Sequence, residues 1–537
     1  HQWKRISDIS DEYSTGNLHL TTRQDIQIHY VSLDRTPELW AKLEEDDITL
    51  REACGNTVRN ITASPTSGID PKELFDVSPH ADAAFRYFLR NPICQEMGRK
   101  IKMSFSNTDE DTSLAYLHDV GFIPKIVNGE RGFKVVVGGG LGAQPMLAHV
   151  AHEFLAENKV IPFIEAILRV FDRHGERNSR HKARMKFLIQ KIGFEAFMDL
   201  VKAESKALKN HSFEIPSASA WEVTPPTLIA DVATPSTEEY ATWLATNTFE
   251  QKQKGFHAVY VRILNGNISS TTSRSLIEAL KGYIGDDIRI TINQGLMLKY
   301  VPTANLAYVY SVLDAHGLAA PGANSIANIT ACPGTDTCNL AISDSTNITS
   351  KLEAVITEEF PSLIHDSAMK IKISGCMNAC GQHSMASIGF HGSSLKAADK
   401  RVLPALQVLL GGATLGNGEG KIADKVIKVP SKRGPQVLRT LLNNFEENAQ
   451  ADEYFHSYYD RQGEKYFYDL LKPIADLSTL VDDDFIDWGA TENFATEIGV
   501  GECAGVVIDL VATLLFESDE KYEWTAAALE DKRYADA

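Results

Sequence analysis

The stretch NLHLTTRQDIQIHYV at residues 17–31 aligns without gaps onto DIRITINQGLMLKYV at residues 287–301, an offset of 270 residues. Each copy has an alternating apolar run, a polar turn and a second alternating run, a pattern that predicts a β-hairpin. A helix-like stretch precedes each copy, HQWKRISDISDEY in one and TTSRSLIEALKGY in the other. The sequence therefore indicates an internal repeat, although short amphipathic hairpins also resemble one another by chance.

The two copies differ in what comes before them. A further strand, HAVYVRILNG at 257–266, precedes the second copy, and the chain begins too late to hold its counterpart in the first. We therefore expect the N-terminus to be cut, with that strand lost. The Pro-, Ser- and Thr-rich stretch at 215–239 predicts a linker between the two halves of the chain.

Mixed strands and helices are predicted after the first hairpin. FKVVVGGGLGAQPMLAHVAHEFL at 133–155 indicates a strand, a glycine loop and a helix, and two amphipathic helices follow it. The glycine loop fits G-x-G-x-x-A through Gly138, Gly140 and Ala143. An NAD-dependent oxidoreductase is therefore one alternative, since this pattern occurs in dinucleotide-binding folds.

The composition limits the classes of function. The chain has 537 residues, 43% of them hydrophobic, which allows about three or four domains. A net charge of −18 argues against general nucleic-acid binding. The lack of any run of about 18 apolar residues predicts that the chain does not span a membrane. Seven cysteines are too few for a disulfide scaffold in this length, which favours ligand or catalytic thiols in the reducing cytoplasm.

Four of the cysteines stand in two close pairs, Cys332 with Cys338 and Cys376 with Cys380. Four thiolates suit tetrahedral zinc or an iron–sulfur cluster. Structural zinc usually takes C-x2-C pairs, whereas these spacings are C-x5-C and C-x3-C. The Pro-Gly turn after Cys332 can bring Cys338 back towards it, and in a helix the second pair would share a face. A cluster tolerates these gaps, while zinc and plain buried thiols are the alternatives.

This cysteine pattern, followed by GQHSMASIGFHG, resembles the signature of the siroheme-dependent nitrite and sulfite reductases. The resemblance implies that Cys332, Cys338, Cys376 and Cys380 hold a [4Fe-4S] cluster. It also implies that Cys380 bridges to the siroheme iron and that Asn378 contacts the cofactor. One departure is the serine seven residues after the last cysteine, where the family usually has Asp or Glu.

The resemblance also assigns a site for the substrate anion. Arg59 in ACGNTVRNITASP matches a substrate-binding arginine, and Lys100 and Lys102 in MGRKIKMSFS match paired active-site lysines. On a strand these two lysines point to one face, so both ammonium groups can reach one oxyanion. A further family arginine would fall on the missing upstream strand, so poor activity is expected of the chain as it stands.

Siroheme carries several carboxylates, so its site requires basic side chains. The resemblance implies contacts from the hairpin motif LTTRQDIQIH, from the arginine before the paired lysines, and from the glycine run, where bare backbone approaches the macrocycle. These residues are Thr21, Arg23, Gln27, Arg99, Gly138, Gly139 and Gly140. The basic run at 171–187 is expected either to contact cofactor carboxylates or to dock an acidic electron donor, and a solvated helix face is the alternative.

The implied fold is α/β (α+β), with two ferredoxin-like halves related by a pseudo-twofold axis and two α/β lobes that bind the siroheme and the cluster. The first half is predicted at 1–60 and the siroheme-binding lobe at 61–214. The linker and second half are predicted at 215–310 and the cluster lobe at 311–435. Residues 436–537 are a C-terminal extension of unknown role, in which Cys503 is expected to be a structural thiol.

The implied activity is the six-electron reduction of sulfite to sulfide, and reduction of nitrite to ammonia by the same site is the alternative. Paired lysines and arginines suit the more highly charged sulfite, whereas the CGQ sequence at 380–382 favours nitrite. Ferredoxin or a flavoprotein is the expected electron donor. A non-catalytic, metal-stabilised binding protein with a degenerate site is a further alternative from a different class.

Overall fold

The computed structural model describes residues 1–215, 225–229 and 233–495, together with residues 522, 525 and 526. Much of the predicted linker at 215–239 lies outside these ranges, as does Cys503. None of the described helices is long and apolar enough to cross a membrane.

The chain begins with a helix, a short hairpin and a second helix. These elements are α1 (Gln2–Tyr13), β1 (Asn17–Leu20), β2 (Ile26–Gln27) and α2 (Thr36–Glu44). The first predicted hairpin is confirmed, since His19 pairs with Gln27 across β1 and β2. Leu18 and Leu20 are fully buried while the turn that follows them is polar, so the alternating pattern reflects one buried face.

A five-stranded sheet with helices forms the first lobe. Its elements are β3 (Val58–Ala63), α3 (Ser78–Phe88), β4 (Ile101–Phe105), β5 (Val120–Val127), β6 (Glu130–Val137), β7 (His149–Ala156), α4 (Val160–His174), α5 (Met185–Ile192) and α6 (Phe194–Ser205). The strands β3, β4 and β5 are parallel, and β6 and β7 continue the sheet antiparallel. Met103, Phe105 and Phe122 share one core with residues of the helices, which explains their apolar runs.

The segment after the glycine run departs from the prediction. The helix predicted at the end of 133–155 is wrong, because His149–Ala156 is a strand. Ala, Leu and Glu favour a helix locally, but this segment pairs antiparallel with β6, with Leu155 opposite Phe133. The backbone bonds gained at the edge of the sheet therefore override the local preference.

A second ferredoxin-like part follows the linker. Its elements are α7 (Glu238–Asn247), β8 (Thr248–Glu250), β9 (Phe256–Val261), β10 (Asn267–Ser269), α8 (Ser270–Leu280), β11 (Ile288–Ile290), β12 (Leu296–Pro302) and α9 (Leu306–Ala315). The predicted second hairpin and its upstream strand are confirmed as β11, β12 and β9. The strand β10 instead pairs with β1, placing Leu18 opposite Ile268. The two ferredoxin-like parts are thereby joined through a shared sheet.

The second lobe repeats the layout of the first. Its elements are β13 (Thr330–Ala331), α10 (Thr346–Glu359), β14 (Ile371–Ser374), β15 (Ile388–Lys396), β16 (Val402–Leu410), β17 (Ala413–Gly416), β18 (Glu419–Lys421), β19 (Asp424–Pro430), α11 (Gly434–Asn448), α12 (Phe455–Gln462) and α13 (Glu464–Leu471). The strands β13, β14 and β15 are parallel, and β16 and β19 continue antiparallel. Both lobes therefore have the same strand order and directions.

Three predicted domain boundaries cut through elements. The boundary at 60/61 falls inside β3, the boundary at 310/311 inside α9, and the boundary at 435/436 inside α11. Leu438, Tyr458 and Phe467, from α11 to α13, lie in the same core as residues of β14 and β16. We therefore propose that the first lobe begins at β3 and that the second lobe extends through α13.

Candidate active site

A cavity of about 1160 Å³ opens where the ferredoxin-like parts and both lobes meet. Its wall includes the β1–β2 hairpin, the starts of β3 and β4, the segment at 180–187 and the loops at 331–333 and 378–382. Many of the residues assigned by the resemblance line this one space. They are Thr21, Arg23, Gln27, Arg59, Arg99, Lys100, Lys102, Cys332, Asn378 and Cys380.

The wall of this cavity is basic although the chain as a whole is acidic. Among the described residues, two carboxylates, Asp25 and Glu52, line it, against ten basic side chains. The cations are Arg23, Arg51, Arg59, Arg99, Lys100, Lys102, Arg180, Lys182, Arg184 and Lys186. A field of this sign attracts polyanions, and guanidinium groups match carboxylates in bidentate geometry. The donor set therefore fits a macrocycle with several carboxylates and a small oxyanion beside it.

Arg23 is held in the wall by Asn60 and His118. Its Nε donates to Asn60 Oδ1 over 3.0 Å and its Nη2 to the Asn60 carbonyl over 2.7 Å. Its Nη1 donates to His118 Nε2, while His118 Nδ1 donates to the Leu114 carbonyl over 2.8 Å. Burial, followed by the Arg23 charge, lowers the pKa of His118 well below its usual value. A neutral His118 can accept from Arg23, which fixes the direction of the guanidinium.

Lys102 is positioned by a buried carboxylate behind it. Its backbone N–H donates to Asp119 Oδ2 over 2.8 Å, and Arg184 Nη2 donates to the same oxygen over 2.8 Å. Burial, then the charges of Arg23, Lys100 and Arg184, lowers the pKa of Lys102 well below its usual value. An ammonium with a lowered pKa releases its proton more readily, so this side of the cavity can supply protons as well as charge.

The glycine run lies directly before a segment that lines the cavity. Gly138, Gly139 and Gly140 are buried, whereas the residues at 141–144 line the cavity. A Cβ on Gly139 would lie 2.5 Å from the Tyr116 carbonyl oxygen and 2.7 Å from that of His118. Gly139 is therefore needed for close packing against the His118 loop, and contact of the glycine run with the macrocycle stays a prediction.

The same segment bears on the dinucleotide alternative. The glycine run leads into β7, whereas a dinucleotide site places a helix N-terminus at this point. Lys186 Nζ donates to the carbonyls of Leu141 and Gln144 over 2.9 and 2.5 Å. This lysine thus ties the loop after the glycines to α5 and closes that side of the cavity.

The strands β13 and β14 bring the two cysteine pairs together. They are parallel neighbours with Ala331 opposite Ile373, so the chain leaves both strands at the same edge of the sheet. Cys332 follows β13 directly, and its Sγ accepts a hydrogen bond from the Gly375 N–H over 3.1 Å. Burial raises the pKa of the Cys332 thiol, and the neighbouring Cys376 raises it further.

The loop that carries Cys338 folds back towards the second pair. The N–H groups at positions 342 and 343 both donate to the Gly375 carbonyl, over 2.7 and 3.3 Å. Cys338 N–H donates to the Gly334 carbonyl over 2.9 Å, which closes the Pro-Gly turn. Both cysteine loops therefore meet at Gly375, next to Cys376.

Cys380 connects this sulfur-rich edge to the cavity. It lines the cavity wall, and Thr22 Oγ1 donates to its carbonyl over 2.9 Å. The second pair lies in a turn rather than a helix, since Ala379 has a φ of 60°. Within the described ranges, no group of three or more His, Cys, Asp or Glu side chains is placed to hold a single metal ion. A four-iron cluster sets its thiolates further apart than one ion does.

Some residues in and behind the wall carry no signal in the sequence. Asn60 and His118 line the cavity, Asp119 is buried behind it, and all three act through the cations that they orient. Arg180 and Arg184 belong to the basic run at 171–187, for which two roles were predicted. They line the cavity, which favours contact with a cofactor over docking of a donor. The density of basic residues in an acidic chain was the available signal.

Two known protein families together match most of the described chain. The family described as Nitrite and sulphite reductase 4Fe-4S domain matches residues 54–209 and 322–475. The family described as Nitrite/Sulfite reductase ferredoxin-like half domain matches residues 1–46 and 249–316. The matched segments alternate along the chain as the ferredoxin-like parts and lobes do.

Curated relatives carry names of both kinds of reductase. The chain is 27% identical over 494 residues to the assimilatory ferredoxin-dependent nitrite reductase of Haloferax mediterranei, covering 88% of this chain and 81% of that one. It is 28% identical over 426 residues to sulfite reductase [ferredoxin] 1 of Mycolicibacterium paratuberculosis, covering 78% and 72%. The solved structure of the NirA protein of Mycobacterium tuberculosis matches with a TM-score of 0.74 at 25% identity, covering 87% and 82%.

Proposed function

The chain belongs to the nitrite and sulfite reductase family, and from this premise we propose that it reduces sulfite to sulfide with six electrons taken from ferredoxin. It is an oxidoreductase whose cofactors are siroheme and a [4Fe-4S] cluster. The observation that supports the choice of sulfite is the cavity beside Cys380, where ten of the described lining residues are basic and two are acidic. Sulfite is the more highly charged of the two substrate anions, so it gains more from this field.

The cofactors are assigned to two sets of residues. Arg23, Arg99, Arg180 and Arg184 would hold the siroheme carboxylates, since all four line the cavity. The four cysteines at the ends of β13 and β14 would hold the cluster. When bound, the two groups supply the electrons and the iron that takes the anion. The protein contributes the position of the anion, the local field and the protons.

Arg59, Lys100 and Lys102 are proposed to bind the anion. They come from β3 and the start of β4, which are neighbouring strands of one sheet. Arg59 also donates to the Ala53 carbonyl, which restrains its guanidinium at the cavity wall. Conversion of hydrogensulfite to hydrosulfide takes up six protons and releases three waters. Lys102 is the proposed source of protons, because its lowered pKa eases their release to oxygens of the anion.

Nitrite reduction to ammonia is the second candidate. The lowered pKa of Lys102 reduces the positive charge that this lysine contributes near neutral pH. The carboxylate of Asp25 lies in the same wall and further reduces the net positive charge of the cavity. A pocket of smaller net charge suits a monoanion, and the nitrite reductase named among the relatives agrees with this reading.

Steady-state turnover of both anions by the holoenzyme, with reduced ferredoxin or reduced methyl viologen, tests the proposal. We expect kcat/KM for sulfite to exceed that for nitrite. A larger kcat/KM for nitrite would favour the second candidate, and turnover of neither anion would reject both. Lys102→Met should lower turnover, whereas Lys465→Met, which removes an ammonium that is 85% exposed on α13, should not.

A further inference from the structure

Asp25 places a carboxylate among the cations proposed to bind the substrate. Its N–H donates to Thr21 Oγ1 over 3.1 Å and its carbonyl accepts from the Thr21 N–H over 2.9 Å. The tight turn therefore fixes the backbone from which the carboxylate projects. The side chain is accessible, and it lines the cavity.

Three cations from three elements line the same cavity as this carboxylate and act on it electrostatically. Arg23 comes from its own hairpin, Arg59 from β3 and Lys102 from β4, and each favours the ionised form of Asp25. Asn60, whose Nδ2 donates to the Arg23 carbonyl over 2.7 Å, also favours the ionised form. Burial favours the neutral form and outweighs these groups, so the pKa of Asp25 lies above its usual value. Above that pKa, Asp25 carries a negative charge in the pocket that binds the anion.

We propose that Asp25 determines how strongly the pocket discriminates between anions of different charge. The inference rests on the proposed function, because it concerns the same anion pocket. Ionised Asp25 repels any bound anion, and the Coulomb energy is proportional to the charge of that anion. The factor by which ionised Asp25 lowers the binding constant of a dianion is therefore the square of the factor for a monoanion at the same position. This relation holds at any distance or dielectric constant. Asp25 thus shifts selectivity from sulfite dianion towards nitrite.

The test is equilibrium binding of sulfite and nitrite to the oxidised holoenzyme, with and without Asp25→Asn. The readout is the change in the cofactor absorption spectrum on titration, which requires no turnover. The pH is set above the second ionisation of sulfurous acid, where sulfite is a dianion. We expect the variant to bind nitrite about 3-fold more tightly and sulfite about 10-fold more tightly, for a water-like dielectric in the open cavity.

Glu52→Gln is the matched control, because Glu52 is the second carboxylate that lines the cavity within the described part of the chain. Glu52 Oε1 accepts from the Arg90 N–H over 2.8 Å and from Gln95 Nε2 over 2.6 Å, so it is held towards the 90–95 segment. The sulfite-to-nitrite affinity ratio should change less in this variant than in Asp25→Asn. An equal change in the two variants would overturn the special role of Asp25.

Equal fold-changes for sulfite and nitrite in Asp25→Asn, or no change for either, would also overturn the inference. If Asp25→Asn does not retain the cofactors, Asp25→Ser makes the same change of charge with a smaller side chain and is judged by the same ratio. Wild-type enzyme that binds and reduces neither anion would instead reject the proposed function. The two failures are therefore distinguishable.

Discussion

The two lobes share one strand order but contribute different chemistry to the cavity. In the first lobe, Lys100 and Lys102 stand at the start of β4 and line the cavity. In the second lobe, 270 residues later, Lys370 and Lys372 stand at the start of β14. The same residue type therefore occupies the same place in two copies of one fold. Only the first pair lies on the wall described above.

The surroundings of Lys372 explain the difference. Its Nζ donates to Thr330 Oγ1 over 3.0 Å, to Gln382 Oε1 over 3.1 Å and to Asn293 Oδ1 over 3.4 Å. Asn293 stands 270 residues after Arg23, so an amide acceptor in one hairpin replaces a cation in the other. The lysine of the second lobe is thus satisfied within the protein. Of two equivalent positions in the two lobes, a lysine can therefore bind a ligand only where the surrounding side chains let its ammonium group reach a cavity.

The largest expected effect follows from removing one of the cysteines that only the second lobe contributes to the proposed cluster. Cys380→Ser should abolish turnover and lower the iron and acid-labile sulfide content, because one thiolate of the proposed cluster is lost. Cys54→Ser, which changes an exposed cysteine outside the two pairs, should retain the iron. Full iron content in Cys380→Ser would contradict the assignment of the ligands.

Replacing the two related lysines should affect different properties, turnover for Lys102 and stability for Lys372. Lys102→Met should lower kcat by about 10²–10⁴-fold, as expected for loss of a proton donor, with little change in stability. Lys372→Met should leave its buried acceptors without their donor and lower the free energy of unfolding by about 1–3 kcal/mol, with a smaller loss of kcat. Turnover and denaturant unfolding of both variants measure this. Similar losses of kcat in the two would contradict the comparison.

A matched pair of glycines tests whether the lobes are equivalent where no ligand is involved. Gly193 separates α5 from α6 at φ 87° and ψ 149°, and Gly463 separates α12 from α13 at φ 84° and ψ 154°. No described residue would lie within 4 Å of a Cβ at either site, so the strain is in the backbone conformation. Alanine at each should lower the free energy of unfolding by about 1–3 kcal/mol. Clearly unequal losses would show that the two lobes differ in stability as well as chemistry.

The pH dependence of stability gives the smallest expected effect. Burial, and then Lys370, lowers the pKa of Lys372 to about 7, whereas an unfolded lysine titrates near about 10.4. Between these values the unfolded state binds more protons, so the free energy of unfolding rises with pH. From about pH 7 to 9, wild type should gain stability over Lys372→Met by up to about 1 kcal/mol per pH unit. Thermal unfolding measures this, and a difference that does not change with pH would contradict it.

Much of the fold could be predicted from local patterns. Both hairpins and their preceding helices are confirmed, because alternation and helical periodicity are expressed within about 15 residues. The strand β7 could not be predicted this way, since its residues favour a helix until β6 provides a partner. The close packing of Gly139 could not be predicted for a related reason, because its contacts come from Tyr116 and His118 on a different loop.

The sequence by itself determined the hairpin repeat, the two cysteine pairs and the basic motifs, because each is written in short-range spacing and residue type. Only the tertiary structure decided which lysine of each related pair faces the cavity, and which groups orient Arg23 and Lys102. Both features depend on contacts between residues that are remote in the chain, such as the hydrogen bond between Thr22 and Cys380, which are 358 residues apart. The charge, burial and hydrogen-bond partners of a site residue are set by such long-range contacts, so they cannot be read from any single segment.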